Sequence, residues 1–370
     1  MMKFNQYFKS CDVRFLFSMF IFFLSFCAYF PYTKTKIISQ ANRTMADCVA
    51  CERINVFIKS KELISNIVWK GLNDDAHIRP LLYFTDSSTY IAFGSDILFK
   101  NYNYELLDCG NGFSLLKLPR MDAQPFHMEN NMNFKDTASI FYNQPMMLCS
   151  DVETLIKVVP DFNKTEDWLQ LVMHEYFHSF QFSHKATINY LSEVIQISSD
   201  TLNKIYIQNA WFGELLENEN NALLNAIRAT TGDSMNHYMD EFYQIRQRRR
   251  MQYESLHNLN LSIMENFWET IEGTARYAEY YMAGNFYKIA TGTSSQCDSL
   301  FKNFRDYSDM INFENELEFI ERTKMMQAYY YVTGFNLCRL MDKIGINYKQ
   351  DLFNHPAEGL YEIFTKHTIR

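Results

Sequence analysis

The sequence is poor in the residues that mark fibrous and low-complexity chains, with only 12 glycines and 7 prolines in 370 residues. A collagen-like or Pro/Gly-rich disordered protein is therefore excluded. The chain also lacks an excess of positive charge, because 35 Lys and Arg oppose 43 Asp and Glu for a net charge of −8. Since nucleic-acid binding depends on a basic surface, we predict no nucleic-acid partner.

Apolar residues are abundant, at 47% of the chain, and aromatic residues make up 16%. A chain of this length and composition can bury a sizeable core, so we predict a folded protein. One basic cluster consists of Arg246, Arg248, Arg249 and Arg250. It lies in a stretch of helical pattern, and we expect it to form a solvated helix face.

A strongly apolar run near the N-terminus, residues 15–30, is shorter than the roughly 20 residues that a membrane-spanning helix needs. Lys3, Lys9 and Arg14 precede it. Basic residues followed by a short apolar segment are typical of a secretory signal. We therefore predict that residues 1–30 are a signal peptide or signal anchor. The protein is then exported (secreted, periplasmic or extracellular), and an uncleaved segment would anchor it to a membrane.

Eight cysteines are present, of which Cys11 and Cys27 fall in or beside the targeting segment. The others stand at positions 48, 51, 109, 149, 297 and 338. An even number in an exported chain permits disulfides, whose connectivity the sequence leaves open. Cys48 and Cys51 form a C-x-x-C motif, for which a thiol or metal function and a structural disulfide are both open.

Hydrophobic patterning predicts an α+β protein. Residues 33–52 are expected to be a linker, 55–70 a helix, and 81–85, 90–93, 104–107 and 113–118 strands. Residues 119–136 are expected to be a loop, and 137–142 a strand. Helical patterns then dominate from residue 151, at 168–182, 188–208, 211–229, 235–253, 263–282, 297–305, 313–343 and 360–366.

The chemically most specific motif is H-E-x-x-H, formed by His174, Glu175 and His178. It lies in a predicted helix, where residues four apart share one face, so both imidazoles can bind the same Zn²⁺. Glu175 is then placed to act on a water molecule. A catalytic zinc also needs a third protein ligand. His184 stands where the metzincin motif has its third histidine, but Gln181 replaces the glycine that the turn requires.

A second motif, Glu272-Gly273-Thr274-Ala275-Arg276-Tyr277, follows much later in the chain. H-E-x-x-H followed by a distant helix with E-G-x-A-x-Y resembles the gluzincin zinc metallopeptidases. The resemblance implies a zincin-like fold, Zn²⁺ as cofactor and Glu272 as third ligand. We expect the small Gly273 and Ala275 to let this helix approach the motif helix closely. The resemblance to gluzincins also makes the predicted strand at 137–142 a candidate edge strand that pairs with an extended substrate. An ordinary sheet strand is equally compatible with these residues.

Neighbouring charged residues extend this hypothesis. Glu269 is three residues before Glu272 and is an alternative ligand or a carboxylate that orients an imidazole. Arg276 and Glu279 either have a similar supporting role or form a surface ion pair. Tyr331, in an aromatic run, is a candidate donor to the oxyanion of the transition state, with ordinary packing as the alternative.

We therefore expect residues 31–150 to form a linker and mixed N-terminal subdomain and 151–370 a helical zinc-metallopeptidase domain. Between His178 and Glu272 lie 93 residues, more than in the best-known gluzincins by resemblance, so we expect the helices from 188 to 253 to form an insertion. The predicted activity is hydrolysis of a peptide or protein substrate, with Glu175 as general base. The alternatives are an exported non-catalytic zinc-binding or interaction protein and a thiol protein centred on Cys48 and Cys51.

Overall fold

The computed structural model describes residues 36–94, 98–110, 112–194, 204, 208–290, 295–304 and 328–368. The predicted signal segment lies outside these ranges, as do parts of the predicted helices 188–208 and 313–343. Within the described ranges, none of the helices has the length and apolar character needed to cross a bilayer. The described residues divide into two compact units, one of residues 36–183 with 281–304 and the other of residues 184–280 with 328–368.

The first unit contains a seven-stranded mixed sheet in the order β1-β4-β5-β3-β2-β7-β6. β1 pairs with β4 and β2 with β7 in parallel, whereas the other neighbours are antiparallel. The strands are β1 (Lys36–Ile38), β2 (Leu81–Phe84), β3 (Ser88–Ala92), β4 (Glu105–Gly110), β5 (Phe113–Pro119), β6 (Met128–Asn131) and β7 (Met146–Ser150). A buried apolar cluster on this sheet consists of Leu82, Phe84, Ile91, Phe99, Leu116, Leu118, Met146 and Leu148.

Helices of the first unit are α1 (Met45–Ile67), α2 (Val152–Val158), α3 (Thr165–Gln181) and the short α8 (Phe286–Ala290). The predicted linker at 33–52 is wrong, because β1 and the first turns of α1 occupy it. A capping box starts α1 early: Asp47 N–H donates to Thr44 Oγ1 (3.2 Å), and Thr44 N–H donates to Asp47 Oδ2 (2.9 Å). This pairing satisfies backbone donors that the helix itself leaves free.

The predicted strand at 137–142 is also wrong, since these residues form turns. Asn133 Oδ1 accepts backbone hydrogen bonds from Lys135 and Asp136, both at 2.8 Å. Such side-chain bonds compete with sheet ladders and favour turns. The strand before the motif helix is instead β7, and the edge of the sheet at that end is β6, within the stretch predicted as a loop.

The second unit is helical. It contains α4 (Lys185–Val194), α5 (Ala210–Arg228), α6 (Gly232–His257), α7 (Ser262–Gly284, its last residues lying in the first unit), α9 (Ala328–Ile344) and α10 (Gly359–Thr368). These bounds confirm the predicted helices at 211–229, 235–253, 263–282 and 360–366. The mixed α+β class and the predominantly helical C-terminal part are confirmed as well.

The basic cluster on α6 is not the solvated face that we expected. Arg246 and Arg249 are fully buried, Arg250 is 8% exposed, and Arg248 alone faces solvent. The buried guanidinium groups pair with Glu219 of α5 and with Glu265 and Glu269 of α7, which are equally buried. Carboxylates from other helices thus decide the environment of the arginines, and the local sequence does not reveal them.

Candidate metal centre

The motif helix α3 starts at a well-defined cap. The carboxylate of Asp167 accepts hydrogen bonds from the backbone N–H groups of Asn163 (3.0 Å) and Lys164 (3.1 Å). One turn along, the indole of Trp168 donates to the carbonyl of Ser150 at the end of β7 (2.9 Å). The cap stabilises the first turn, and the indole bond fixes the helix to the sheet.

Residues 295–304 hold the same helix end. They were predicted as part of a helix at 297–305, but they form turns. The backbone N–H groups of Lys302 and Phe304 donate to Glu166 Oε1 (2.8 and 2.9 Å), and Thr165 Oγ1 donates to Asp298 (2.6 Å). Residues 295–304 therefore bond to side chains of the first turn of α3 and do not form a helix of their own.

Between the two histidines of the motif, Tyr176 and Phe177 fix the rotation of α3 about its axis. The ring of Tyr176 packs edge-on against Phe57 of α1, with centroids 5.0 Å apart. Phe177 packs in the same way against Trp69, at 5.2 Å. Both aromatic side chains are buried, and Tyr176, two residues from each histidine, lies on the opposite side of the helix from His174 and His178.

His174 and His178 have the spacing of two ligands of one ion. Their Nε2 atoms are 3.2 Å apart, and the side chains are 6% and 7% exposed. Two nitrogens bound to the same tetrahedral zinc at about 2.0–2.1 Å lie about 3.3 Å apart. The pair thus fits the metal without rearrangement of the helix.

Gln181 orients the second imidazole, a role that sequence reasoning missed. His178 Nδ1 and Gln181 Oε1 are 2.7 Å apart. Because the amide oxygen only accepts, Nδ1 is the donor, and the lone pair of the neutral ring is on Nε2, which faces His174. The signal was present in the sequence as the i, i+3 spacing on one helix face.

Glu272 of α7 completes the set: one ligand atom each from His174, His178 and Glu272 lie within 4.8 Å of one another. Two imidazole nitrogens and one carboxylate oxygen are a donor set of catalytic zinc sites, which keep one further position for water or substrate. Glu175, next to the first ligand, is half-buried. The three predicted ligands are therefore brought together.

The other residues singled out in the sequence lie outside this group. Glu269 accepts from both Nη atoms of Arg246 (2.8 and 2.6 Å) and from the hydroxyl of Thr333 (2.6 Å). Arg276 and Glu279 form an ion pair at 2.9 Å. The ring of His184 packs on that of Phe353, and the half-buried Tyr331 lies on α9. The supporting roles of Glu269, Arg276, Glu279 and Tyr331 stay predictions.

Gly273 does have a packing role, but not with the helix that we expected. A Cβ at this position would overlap the Cα and carbonyl carbon of Gly334 and would lie 2.8 Å from the backbone nitrogen of Phe335. These atoms belong to α9, not to the motif helix. The two glycines let α7 and α9 cross in backbone contact immediately after Glu272.

The C-x-x-C motif is part of two long-range disulfides, Cys48–Cys297 and Cys51–Cys109. A local bond between Cys48 and Cys51 is therefore excluded, and the motif does not form a dithiol redox pair. Within the described chain, Cys149 and Cys338 are free and buried. Burial raises the pKa of Cys149 and raises that of Cys338 to about 12, which makes both thiols poor nucleophiles.

Comparison with known proteins yields no match to a protein-family model, a curated protein or a solved structure. The resemblance to gluzincins thus rests on the two motifs.

Proposed function

We propose that this protein is a zinc-dependent hydrolase, and specifically a metallopeptidase. The observation that carries the proposal is the grouping of His174, His178 and Glu272 around the H-E-x-x-H helix. The 3.2 Å spacing of the imidazole nitrogens and the bond from His178 to Gln181 supply the geometry and tautomer that zinc requires.

In this proposal His174, His178 and Glu272 hold the ion. A bound zinc ion would supply Lewis acidity and would lower the pKa of a water molecule toward neutral pH. Glu175 removes the proton from the attacking water and delivers it to the leaving amine. Glu175 is half-buried and adjacent in sequence to His174.

β6 is the strand that we propose for substrate alignment, in place of residues 137–142. It is the edge of the sheet, paired on one side with β7. Asn130 of this strand donates from Nδ2 to Ser179 Oγ of α3. An extended peptide can add to such an edge through main-chain hydrogen bonds, so the strand links substrate binding to the motif helix.

Export remains part of the proposal. Disulfides persist in oxidising compartments and are rare in the cytosol of most organisms. The Cys48–Cys297 and Cys51–Cys109 bonds therefore favour a secreted, periplasmic or extracellular location, either free or anchored by the N-terminal apolar segment.

Metal analysis combined with a peptide-cleavage assay tests the function. We expect about one zinc per wild-type chain, cleavage of a generic peptide mixture, and loss of cleavage with retained zinc in Glu175→Gln. Glu272→Ala should lose both. Wild-type protein without stoichiometric zinc, or Glu175→Gln with wild-type turnover, would refute the proposal. Stoichiometric zinc without cleavage would indicate the non-catalytic zinc-binding alternative.

A further inference from the structure

A buried cluster of six charged side chains lies in the helical unit and includes none of His174, His178 and Glu272. Three guanidinium groups of α6 face three carboxylates, one from α5 and two from α7. All six side chains are at most 8% exposed, and they are Glu219, Arg246, Arg249, Arg250, Glu265 and Glu269. We call this set the Arg–Glu cluster.

Apolar side chains of similar volume often stabilise a core as well as a buried ion network, because buried charges lose their hydration. Stability alone therefore does not explain why the Arg–Glu cluster is charged, and a second role is to be sought. It differs from an apolar core in directionality, since a guanidinium forms two parallel hydrogen bonds with a carboxylate and so sets the angle between them.

Arg246 is held by contacts on several sides. Its Nη1 and Nη2 atoms donate to the two oxygens of Glu269 (2.8 and 2.6 Å), and its Nε donates to Glu219 (3.0 Å). The guanidinium also lies 4.6 Å from the ring centroids of both Phe242 and Tyr361. It is therefore fixed in position and in orientation.

Glu269 transmits this constraint to the proposed zinc ligand. It lies three residues before Glu272 on α7, so the two carboxylates share one side of the helix. Thr333 of α9 donates a further hydrogen bond to Glu269 (2.6 Å), beside the close crossing at Gly273 and Gly334. The rotation of α7 at this turn, and hence the direction of Glu272, is set by these contacts.

We propose that Arg246 is a positioning residue for the metal centre, acting through Glu269 on the ligand Glu272. The inference rests on the proposed function. Its consequence is that weakening the Arg246–Glu269 bond reduces metal affinity more than it reduces stability, whereas weakening the cluster elsewhere reduces stability alone.

Arg250 provides a matched control. It lies on the same helix, pairs with a carboxylate of α7 (Glu265, 2.7 Å) and stacks on the same ring of Tyr361 (4.7 Å). Glu265, however, is two turns from Glu272, and the contacts at Glu269 separate them. Arg246→Lys and Arg250→Lys both keep the charge but remove the guanidinium fork.

The experiment measures Zn²⁺ affinity by competition with a chromophoric chelator, the visible spectrum of the Co²⁺-loaded protein, and the thermal unfolding midpoint. We expect Arg246→Lys to bind Zn²⁺ about tenfold or more weakly, as outer-sphere changes at metal sites do, and to alter the Co²⁺ spectrum. Arg250→Lys should keep the wild-type Zn²⁺ affinity and Co²⁺ spectrum, although its thermal unfolding midpoint should fall by about as much as that of Arg246→Lys.

Thr333→Val replaces Arg246→Lys if the latter does not fold, because valine has nearly the shape of threonine and lacks the hydroxyl that donates to Glu269 (2.6 Å) and to the carbonyl of Tyr329 (3.2 Å). The inference would be overturned if the Arg246, Thr333 and Arg250 variants all kept wild-type zinc affinity. It would also be overturned if all of them lost zinc affinity by the same factor. The wild type and Glu272→Ala separate the two proposals: a wild type that binds no Zn²⁺ refutes the metal centre and this inference with it. A zinc-binding wild type with an unaffected Arg246→Lys refutes only the inference.

Discussion

Gly273→Ala tests whether the backbone contact of α7 with α9 is needed for the fold. The added methyl group would overlap the Cα and carbonyl carbon of Gly334 and lie 2.8 Å from Phe335 N. Carbon atoms normally pack at about 3.5–4.0 Å, so one helix must move by roughly 1 Å. The opposing atoms are backbone and cannot rotate away. Overpacking usually costs about 1–3 kcal/mol, and we expect the upper end, about 3 kcal/mol.

Gly284→Ala is the matched control, because Gly284 is the last residue of the same helix and, apart from its chain neighbours and the adjoining helix backbone, no atom of the described residues lies within 4 Å of the position that its added methyl group would take. Alanine favours the helix over glycine by up to about 1 kcal/mol, so this variant should be neutral or slightly more stable. Urea denaturation followed by circular dichroism gives the difference in unfolding free energy. The close crossing is refuted if Gly273→Ala is as stable as Gly284→Ala.

Three further predictions concern other parts of the chain. The buried Lys61 has its pKa lowered to about 8, chiefly by burial. The unfolded lysine keeps its proton to higher pH, so wild-type stability should rise by up to about 3 kcal/mol between about pH 8 and 10.5, while Lys61→Met, measured by urea denaturation, lacks this rise. Cys297→Ser should cost about 2–5 kcal/mol and expose the start of α3 in hydrogen exchange, whereas unchanged protection of Thr165–Gln181 would contradict the role of residues 295–304 in holding the start of this helix. Tyr331→Phe should reduce kcat about 10²–10³-fold at unchanged zinc content if Tyr331 steadies the oxyanion, and wild-type kcat would exclude that role.

The Arg–Glu cluster should also respond to acid. Burial raises the pKa of Glu265, but the charges of Arg249 and Arg250 outweigh it and lower that pKa to about 2. A depressed carboxyl pKa stabilises the fold above the pKa of the unfolded chain, and this contribution is lost as pH falls through the folded value. Glu265 should therefore stay ionised down to about pH 2, and its contribution to stability should decline between about pH 4.5 and 2.

Local patterns in the chain were sufficient for much of the fold. The helices at 211–229, 235–253 and 263–282 were predictable because their apolar residues repeat with the helical period. The four strands of the central hairpins were predictable from short apolar runs between turn residues. The capping box of α1 was visible as Thr44 and Asp47, and the linker interpretation overlooked it.

The placement of the proposed ligands His174 and His178 on one side of α3 was determined by sequence alone, because helix geometry places residues four apart on one face. Glu272 was suggested as the third ligand by the E-G-x-A-x-Y motif. Its grouping with the two histidines depends on long-range packing. The role of Gln181 had a comparable local signal, its i, i+3 spacing from His178. The roles of Arg246 and Gly273 were not deducible in this way, because each depends on a partner from another helix.

The clearest contrast between sequence and tertiary structure lies in charge and in the cysteines. A run of arginines was interpreted as a solvated face, yet carboxylates from α5 and α7 allow it to be buried. A C-x-x-C motif looked local, yet its two sulfurs pair with Cys109 and Cys297. Spacing along the chain determines which side chains share a helix face. Only the folded chain determines what that face meets, because the partners are distant in sequence and the free energy of burying a charge depends on them.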